Sequence, residues 1–452
     1  MKRLLLAAVA GCAMFAATAS ARAETLTDAL IAAYNNSNLL EQNRALLRAA
    51  DEDVAQAVAE LRPILSWALS GSYNDPRPAS DNYTAALQLT AQMTLYDFGR
   101  TPLAIEAAKE SVLATRHALV NVEQSVLLTA VDSYMEVIRA AQFVDLRRNN
   151  VRLINSELDA ARERFEVGEV TRTDVSIAEA RLAAARSSLT SAEGDYNVAR
   201  EAYKAAIGHY PNNLVRPAVP PKVANTLNEA EAIAVRGHPL ILQRQREVTV
   251  SELNIARARA ELRPTLGISG TASITHEDEA SNSASLSLSQ TIYAGGALSS
   301  ALRQAIAVAD GDRAELLQSV VTIRQNVANA WSALSVAIAG TAAGQRQVTA
   351  SRVAYEGVRE EASLGARTTL DVLDAEQELL DARATLIEAE IQQFVAVYSL
   401  LSTMGLLTVD HLNLGIMTYD PEGYYNAVKN GPTRYVSPQG EKLDRVIKSL
   451  GK

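Results

Sequence analysis

The residues best placed to do chemistry are two carboxylates, Asp371 and Asp374, in the run Ser363-Leu364-Gly365-Ala366-Arg367-Thr368-Thr369-Leu370-Asp371-Val372-Leu373-Asp374. Three positions apart on a helix, they share one face. Asp371 has a structural role open to it. Thr368 followed three residues later by an acid is a capping signature, which starts a helix and sets the acid near the positive end of its dipole. Asp374 lies beyond the first three helical positions, so capping does not account for it. Arg367 precedes the cap directly, where it is either a solvated loop charge or a contact-maker. The chemistry on offer is electrostatic. The five histidines (His117, His209, His238, His276 and His411) are scattered without metal-ligand or catalytic spacing, and no phosphate loop, nucleophile motif or dinucleotide fingerprint occurs. These residues predict neither an enzyme nor a bound cofactor or metal, and leave energy and substrate choice to partners.

The helix start at Thr368 has a twin. Val167-Gly168-Glu169-Val170-Thr171-Arg172-Thr173-Asp174 repeats the glycine, the threonine and the acid, each 197 positions earlier. Both glycines supply the backbone freedom of a tight turn between long helices. The copies differ where charge is concerned: Val170 stands in the place of Arg367 and Ile177 in that of Asp374.

The duplication runs through most of the chain. Ala59-Glu60-Leu61-Arg62-Pro63 returns as Ala260-Glu261-Leu262-Arg263-Pro264, Thr25-Leu26 as Thr226-Leu227, Tyr96 as Tyr293, Tyr134 as Trp331, and Ile207-Gly208 as Met404-Gly405. Neither proline nor glycine interrupts 103–167, a span of about 100 Å if helical. Val137, Val144, Val151, Leu158 and Phe165 recur at sevens there. So do Val175, Leu182, Leu189, Tyr196 and Tyr203, and Leu373, Leu380, Ile387, Phe394 and Leu401. Such stripes predict coiled-coil packing. Each half is thus a helix–hairpin–helix unit. The expected boundaries are a leader over 1–23, a first repeat over 24–208 (hairpin 64–97, turn near 168), and a linker over 209–225. A second repeat follows over 226–405 (hairpin 265–294, turn near 365), then an irregular tail over 406–452 containing Pro421, Gly431, Pro432 and Pro438, with a short basic helix over 441–450.

The leader reads as a secretory signal: Lys2 and Arg3, an apolar stretch over 4–17, and the cleavage site Ala21-Arg22-Ala23, which predicts a mature chain starting at Glu24. Its loss removes three basic residues and takes the formal charge from −9 to −12, a poor match for nucleic acid. Cys12, the sole cysteine, lies in Val9-Ala10-Gly11-Cys12, which also fits a lipoprotein cleavage box. The short apolar stretch before it favours removal with the leader, and the mature chain then has no thiol for disulfide chemistry. Beyond the leader there is no run of 18 apolar residues, so no transmembrane helix is expected.

Between the helices the period changes to two. Leu65, Trp67, Leu69, Gly71 and Tyr73 alternate with serines and alanine. Tyr83 to Leu95 alternates apolar residues with Thr and Gln. Leu266, Ile268, Gly270, Ala272 and Ile274, then Leu286, Leu288, Gln290 and Ile292, do the same in the second half. Four strands cannot close a barrel, and open edges are not tolerated in lipid. Either the sheet belongs to a soluble domain or several chains share one barrel. Three chains give twelve strands, with a small polar face suited to a water-filled lumen and Trp67, Tyr73, Tyr83, Tyr96 and Tyr293 suited to interfacial girdles.

At this point the sequence resembles the TolC family of outer-membrane efflux and type I secretion channels. The resemblance covers the chain from Glu24 to about Gly405. It rests on the duplicated order, the two Ala-Glu-Leu-Arg-Pro runs, Arg-Phe-Glu-Val-Gly (164–168) and Ser-Leu-Gly-Ala-Arg-Thr-Thr-Leu-Asp-Val-Leu-Asp-Ala-Glu (363–376). It implies a homotrimer in the outer membrane of a Gram-negative bacterium: a twelve-stranded β-barrel, four strands per chain, continued by an α-helical coiled-coil tunnel in the periplasm. It also implies partners: outer-membrane lipid, a periplasmic adaptor, and an inner-membrane pump of RND, ABC or MFS type. Asp371 and Asp374 would form carboxylate rings that narrow the tunnel and favour cations. Arg367 would make closing contacts at Thr173 and Asp174, and Val167, Gly168, Leu364 and Gly365 would meet the adaptor. The family often carries tyrosine where this chain has Ala362, which removes one usual closing link. A passive exit duct for small toxic compounds or proteins is the implied function. A periplasmic coiled-coil spacer without a pore is the alternative.

Overall fold

The computed structural model describes residues 23–73, 83–217, 220–276, 279–431 and Arg445. The leader through Arg22 with Cys12, the turn-rich loop over 74–78, and the helix expected over 441–450, apart from Arg445, lie outside the described residues.

Helices α1 (Leu26–Asn36) and α2 (Asn38–Ala59) lead into strands β1 (Ile64–Tyr73) and β2 (Tyr83–Tyr96). Helices α3 (Arg100–Glu166) and α4 (Arg172–Ile207) complete the first half. The second half repeats the order: α5 (Leu227–Gly237), α6 (Pro239–Ala260), β3 (Thr265–Thr275), β4 (Ala280–Ser289), α7 (Ala297–Ser363) and α8 (Thr369–Thr403). A short helix α9 (Pro421–Val428) follows. The halves agree in length as well as order, since α3 and α7 each have 67 residues. Two compact units cut across the repeats. One takes the chain up to Leu40, Glu123–Val235 and Arg324–Met417; the other takes Glu41–Val122, Arg236–Ile323 and the chain from Thr418.

The first unit is helical. Tyr134, Tyr203, Leu40, Leu127, Met135, Ile207, Leu400, Leu401, Met404 and Leu407 are among its fully enclosed side chains. Buried tyrosines need partners for their hydroxyls, and Glu24 and Val215 supply them. Tyr134 donates to the carbonyls of Glu24 (3.0 Å) and Val215 (2.6 Å), and Tyr203 donates to the Glu24 carboxylate. Most of the seven-residue stripes are buried or half-buried as their period predicts; Phe165, at the last turn of α3, is exposed.

The second unit holds the sheet, an antiparallel meander in the order β1-β2-β3-β4. Its register keeps the two kinds of residue on opposite faces: Trp67 stands opposite Leu89 and Leu89 opposite Ala272, while Ser66 faces Thr90 and Thr90 faces Thr271. On the polar face, hydroxyls bond across strands: Ser72 with Thr84 (2.7 Å), Ser269 with Ser285 and Ser273 with Ser281 (both 2.8 Å). No residue of the four strands carries a charge.

Two details differ from the sequence pattern. Strand β4 stops at Ser289, short of Gln290 and Ile292, because its partner strand begins at Thr265 behind Pro264, which has no N–H to extend the ladder. Gln290 turns instead to the Leu262 carbonyl. In the tail, Pro421 starts α9 rather than breaking the chain, at a first helical position where a missing N–H costs nothing. Tyr419 and Tyr425, flanking and within α9, pack on Leu47, Val54 and Val112, and Arg116 lies over the Tyr425 ring.

Helix α7 contains an 18-residue window of mean hydropathy 1.2, long and apolar enough to cross a membrane, although no unbroken apolar run exists. Only 17 % of that window is buried, and along the helix as a whole Leu317, Val321, Val336 and Val353 are exposed.

Two glycines separate backbone strain from crowding. Gly365 (φ 78°) has open space where a Cβ would sit, whereas at Gly208 (φ 101°) a Cβ would fall 2.7 Å from the Asn36 amide nitrogen and 3.0 Å from the Asn36 Cβ. That amide donates to the Ile207 carbonyl at 2.9 Å and cannot withdraw freely. Gly365→Ala is expected to cost the left-handed strain alone, about 1–2 kcal/mol. Gly208→Ala should cost at least about 1 kcal/mol more through crowding. Thermal melting of the two purified variants checks the order.

Candidate functional site at the two helical tips

Each long helix ends by the same device. At the first tip the Gly168 N–H bonds to the Phe165 carbonyl and the Glu169 N–H to the Arg164 carbonyl; at the second, Gly365 bonds to Ala362 and Ala366 to Glu361. Glycine is needed because the turn residue has φ 82° at Gly168 and 78° at Gly365. The next helix then starts with a capping box. The Asp174 carboxylate accepts the Thr171 N–H and hydroxyl, both at 2.8 Å, and the Asp371 carboxylate accepts those of Thr368, both at 2.9 Å. These bonds to the ionised form hold both carboxyls below the usual carboxylate range. Immediately before the two turn glycines, Val167 and Leu364 stand out at 73 % and 79 % exposure, apolar side chains that no described residue covers.

The expected gate residues are not gathered into one cluster within the chain. Arg367 pairs with Glu361 of its own tip (Nε to Oε2, 2.8 Å), while Thr173 is exposed on the first turn of α4. Asp371 is committed to its cap through one oxygen. Asp374, which capping could not explain, receives Arg181 of α4 at 2.9 Å. Ala362 is buried in a core of Val348, Tyr355, Val372, Leu379 and Ala382, so its small side chain is a packing element here.

The arrangement has the order and spacing of a known group. A model of the outer membrane efflux proteins matches residues 29–209 and 233–406, most of both repeats. The outer membrane efflux protein BepC of Brucella suis biovar 1 is 36 % identical over 422 residues, covering 91 % of this chain and 92 % of its own. The protease secretion protein PrtF of Dickeya chrysanthemi is 26 % identical over 426 residues, covering 86 % of this chain and 89 % of its own. Among solved structures, the outer membrane protein VceC of Vibrio cholerae superposes with a TM-score of 0.73 at 19 % identity, over 84 % of this chain and 96 % of that one.

The chain belongs to the outer membrane efflux protein family.

This is the family that the tip and hairpin motifs predict. The chain is therefore an outer-membrane transport channel with a helical tunnel and a β domain, and not an enzyme. Nothing favours a spacer without a pore.

For an efflux protein the more informative residues near the tip are ones that the sequence motifs do not single out. Glu376 of α8 is 4 % exposed. One carboxylate oxygen accepts the Asn150 amide of α3 at 2.9 Å, and the other has no hydrogen-bond partner among the described residues. The Tyr355 hydroxyl of α7, nearby, is likewise buried and unpartnered. Arg359 of α7 lies 3.8 Å from Glu157 of α3. The signal for Glu376 is in the pattern: Leu373, Glu376, Leu379 and Leu380 occupy successive core slots, and one of them is an acid. Burial, opposed by the Asn150 bond, raises its pKa to about 7.

The unfolded chain releases this proton near the ordinary value of 4.5, while the folded chain keeps it to about 7. Over that window the folded state binds more protons, so this group's contribution to stability falls as pH rises. Glu376→Gln preserves an acceptor for Asn150 and removes the charge. It is expected to flatten the pH dependence of the melting temperature between pH 5 and 7.5. At pH 8 it should stabilise the protein by about 3 kcal/mol, as judged by melting of the purified channel from pH 5 to pH 8.

Proposed function

We propose that three copies of this chain form one passive exit duct, in which four strands from each close a twelve-stranded barrel and the helices continue it as a periplasmic tunnel. The observation that carries this reading is the sheet. It has one apolar face, one uncharged hydroxyl- and amide-lined face, and open edges at β1 and β4. In a bilayer those edges must be paired, and neighbouring copies of the same sheet supply the missing partners with the apolar face outward. The exposed apolar stripe of α7 suits burial between subunits in the same assembly. The barrel wall, without charge, does not sort solutes electrostatically. Sorting by charge falls to the tip, where the trimer brings six carboxylates, Asp371 and Asp374 of each chain, to one constriction that favours cations and is plugged by multivalent ones.

Opening requires the tips to part. Arg367 is the closing residue in this reading, exchanging Glu361 for the corner at Thr173 and Asp174, and exposed pairs of this kind contribute about 0–1 kcal/mol each. Val167, Gly168, Leu364 and Gly365 form the surface that meets a periplasmic adaptor, which couples the duct to an inner-membrane pump. The cargo class that best fits an uncharged lumen and the efflux relative is small toxic compounds delivered by that pump. A channel that sorts little by itself also passes an extended polypeptide when the pump is a protein exporter, as the secretion relative's name suggests.

In planar bilayers the purified protein should conduct as a trimer. Asp371→Ala with Asp374→Ala should weaken block by multivalent cations about tenfold or more. Arg367→Ser should raise resting conductance, modestly because Ala362 already lacks a usual link. If block is unchanged in an intact trimeric double variant, both aspartates serve helix structure only and the constriction lies elsewhere.

A further inference from the structure

The Arg181–Asp374 ion pair joins the two repeats, α4 of the first to α8 of the second, through Arg181 Nη2 and Asp374 Oδ1 at 2.9 Å. It sits on a packed seam: Ala178 and Leu182, either side of Arg181, and Leu373, next to Asp374, share one buried cluster with Ile154 and Leu158. Both charged groups remain open to water, with side chains 42 % and 58 % exposed, so the pair faces solvent from a fixed backbone.

The pair is not a relic of the duplication. The position 197 residues before Asp374 is Ile177, and the position 197 residues after Arg181 is Glu378. Both members are therefore peculiar to one repeat, and they differ from their counterparts in complementary ways: an acid gained on α8, a base opposite it on α4. The second carboxylate, Asp371, has no ion-pair partner of its own among the described residues: its hydrogen bonds come from the neutral donors of Thr368, and Arg367, which acts on it through space, is paired with Glu361.

We propose that Arg181 is a specificity-determining residue of the constriction, cancelling Asp374 so that Asp371 carries the charge that multivalent cations meet in the resting channel. This rests on the constriction reading above and refines it: with Arg181 counted, the Asp371 and Asp374 positions of each chain present a net charge of minus one rather than minus two. Arg181 acts through Asp374 and need not touch the passing solute. In this arrangement the strength of cation block is set by the first repeat as well as by the second.

The test is block of the reconstituted full-length channel by spermidine, a trivalent cation, from the periplasmic side, with oligomeric state checked by native electrophoresis. Arg181→Gln should tighten block by on the order of tenfold, since one uncompensated carboxylate per chain is restored within a Debye length of the bound cation. Arg181→Lys should stay at the native midpoint. Asp374→Asn should weaken block, because it leaves Arg181 unopposed, and Arg181→Gln with Asp374→Asn should return to near the native midpoint. If Arg181→Gln leaves the midpoint unchanged, or only raises resting conductance, while Asp371→Ala with Asp374→Ala weakens block, the constriction stands and the compensating role of Arg181 is overturned. If neither changes block, the constriction reading itself fails.

Discussion

The constraint on which the rest depends is the unfinished sheet. β1 and β4 are edge strands, each leaving a row of backbone donors and acceptors that no other described strand of the chain takes up. In water this is an aggregation hazard; in lipid it is forbidden, because an unsatisfied amide in hydrocarbon costs several kcal/mol. The sequence makes no attempt to blunt these edges with charge or proline: β1 and β4 contain neither. In the proposed trimer such a sheet is joined at both sides by its own kind. In that proposal the helices follow, since each hairpin lies between two of them in the chain.

The tips obey a different logic. Both use the same turn and the same cap, so their backbones are nearly interchangeable, and their charge differs at the few positions where the copies diverge. Val170 against Arg367 and Ile177 against Asp374 place the charge in the second repeat. Arg181 against Glu378 places an answer in the first. Duplication thus fixes the geometry of the turn, and later asymmetry sets its electrostatics. The buried acid Glu376 belongs to the same division, held by Asn150 of the first repeat from within the core of the second.

Much of the fold was legible in the sequence because its signals are local and periodic. A period of two with serines on one side and leucines on the other dictates which face each strand residue takes, and the register of all four strands agrees with it. Glycine followed by Thr-x-x-Asp dictates a turn and a helix start. Pro421 was misleading because proline both breaks helices and begins them, and the choice depends on whether Tyr419 and Tyr425 find a surface to pack on. The site was legible in part. Asp371 and Asp374 are conspicuous, but the partner of Asp374 is 193 residues away and that of Glu376 is 226 residues away. Pairing them requires the rotation of one helix against another, which no spacing in the sequence encodes.

The equal lengths of α3 and α7 carry a consequence for how such a chain can change. At 67 residues each, both helices measure out the same distance, about 100 Å, from hairpin to tip. A residue added to one alone turns the rest of that helix by about 100° and takes its apolar stripe out of register with the stretch before it. Length in this protein is a paired quantity. It is altered with least disturbance in steps of seven, which preserve the apolar stripes, and in both repeats together, so that the two helices stay matched rulers.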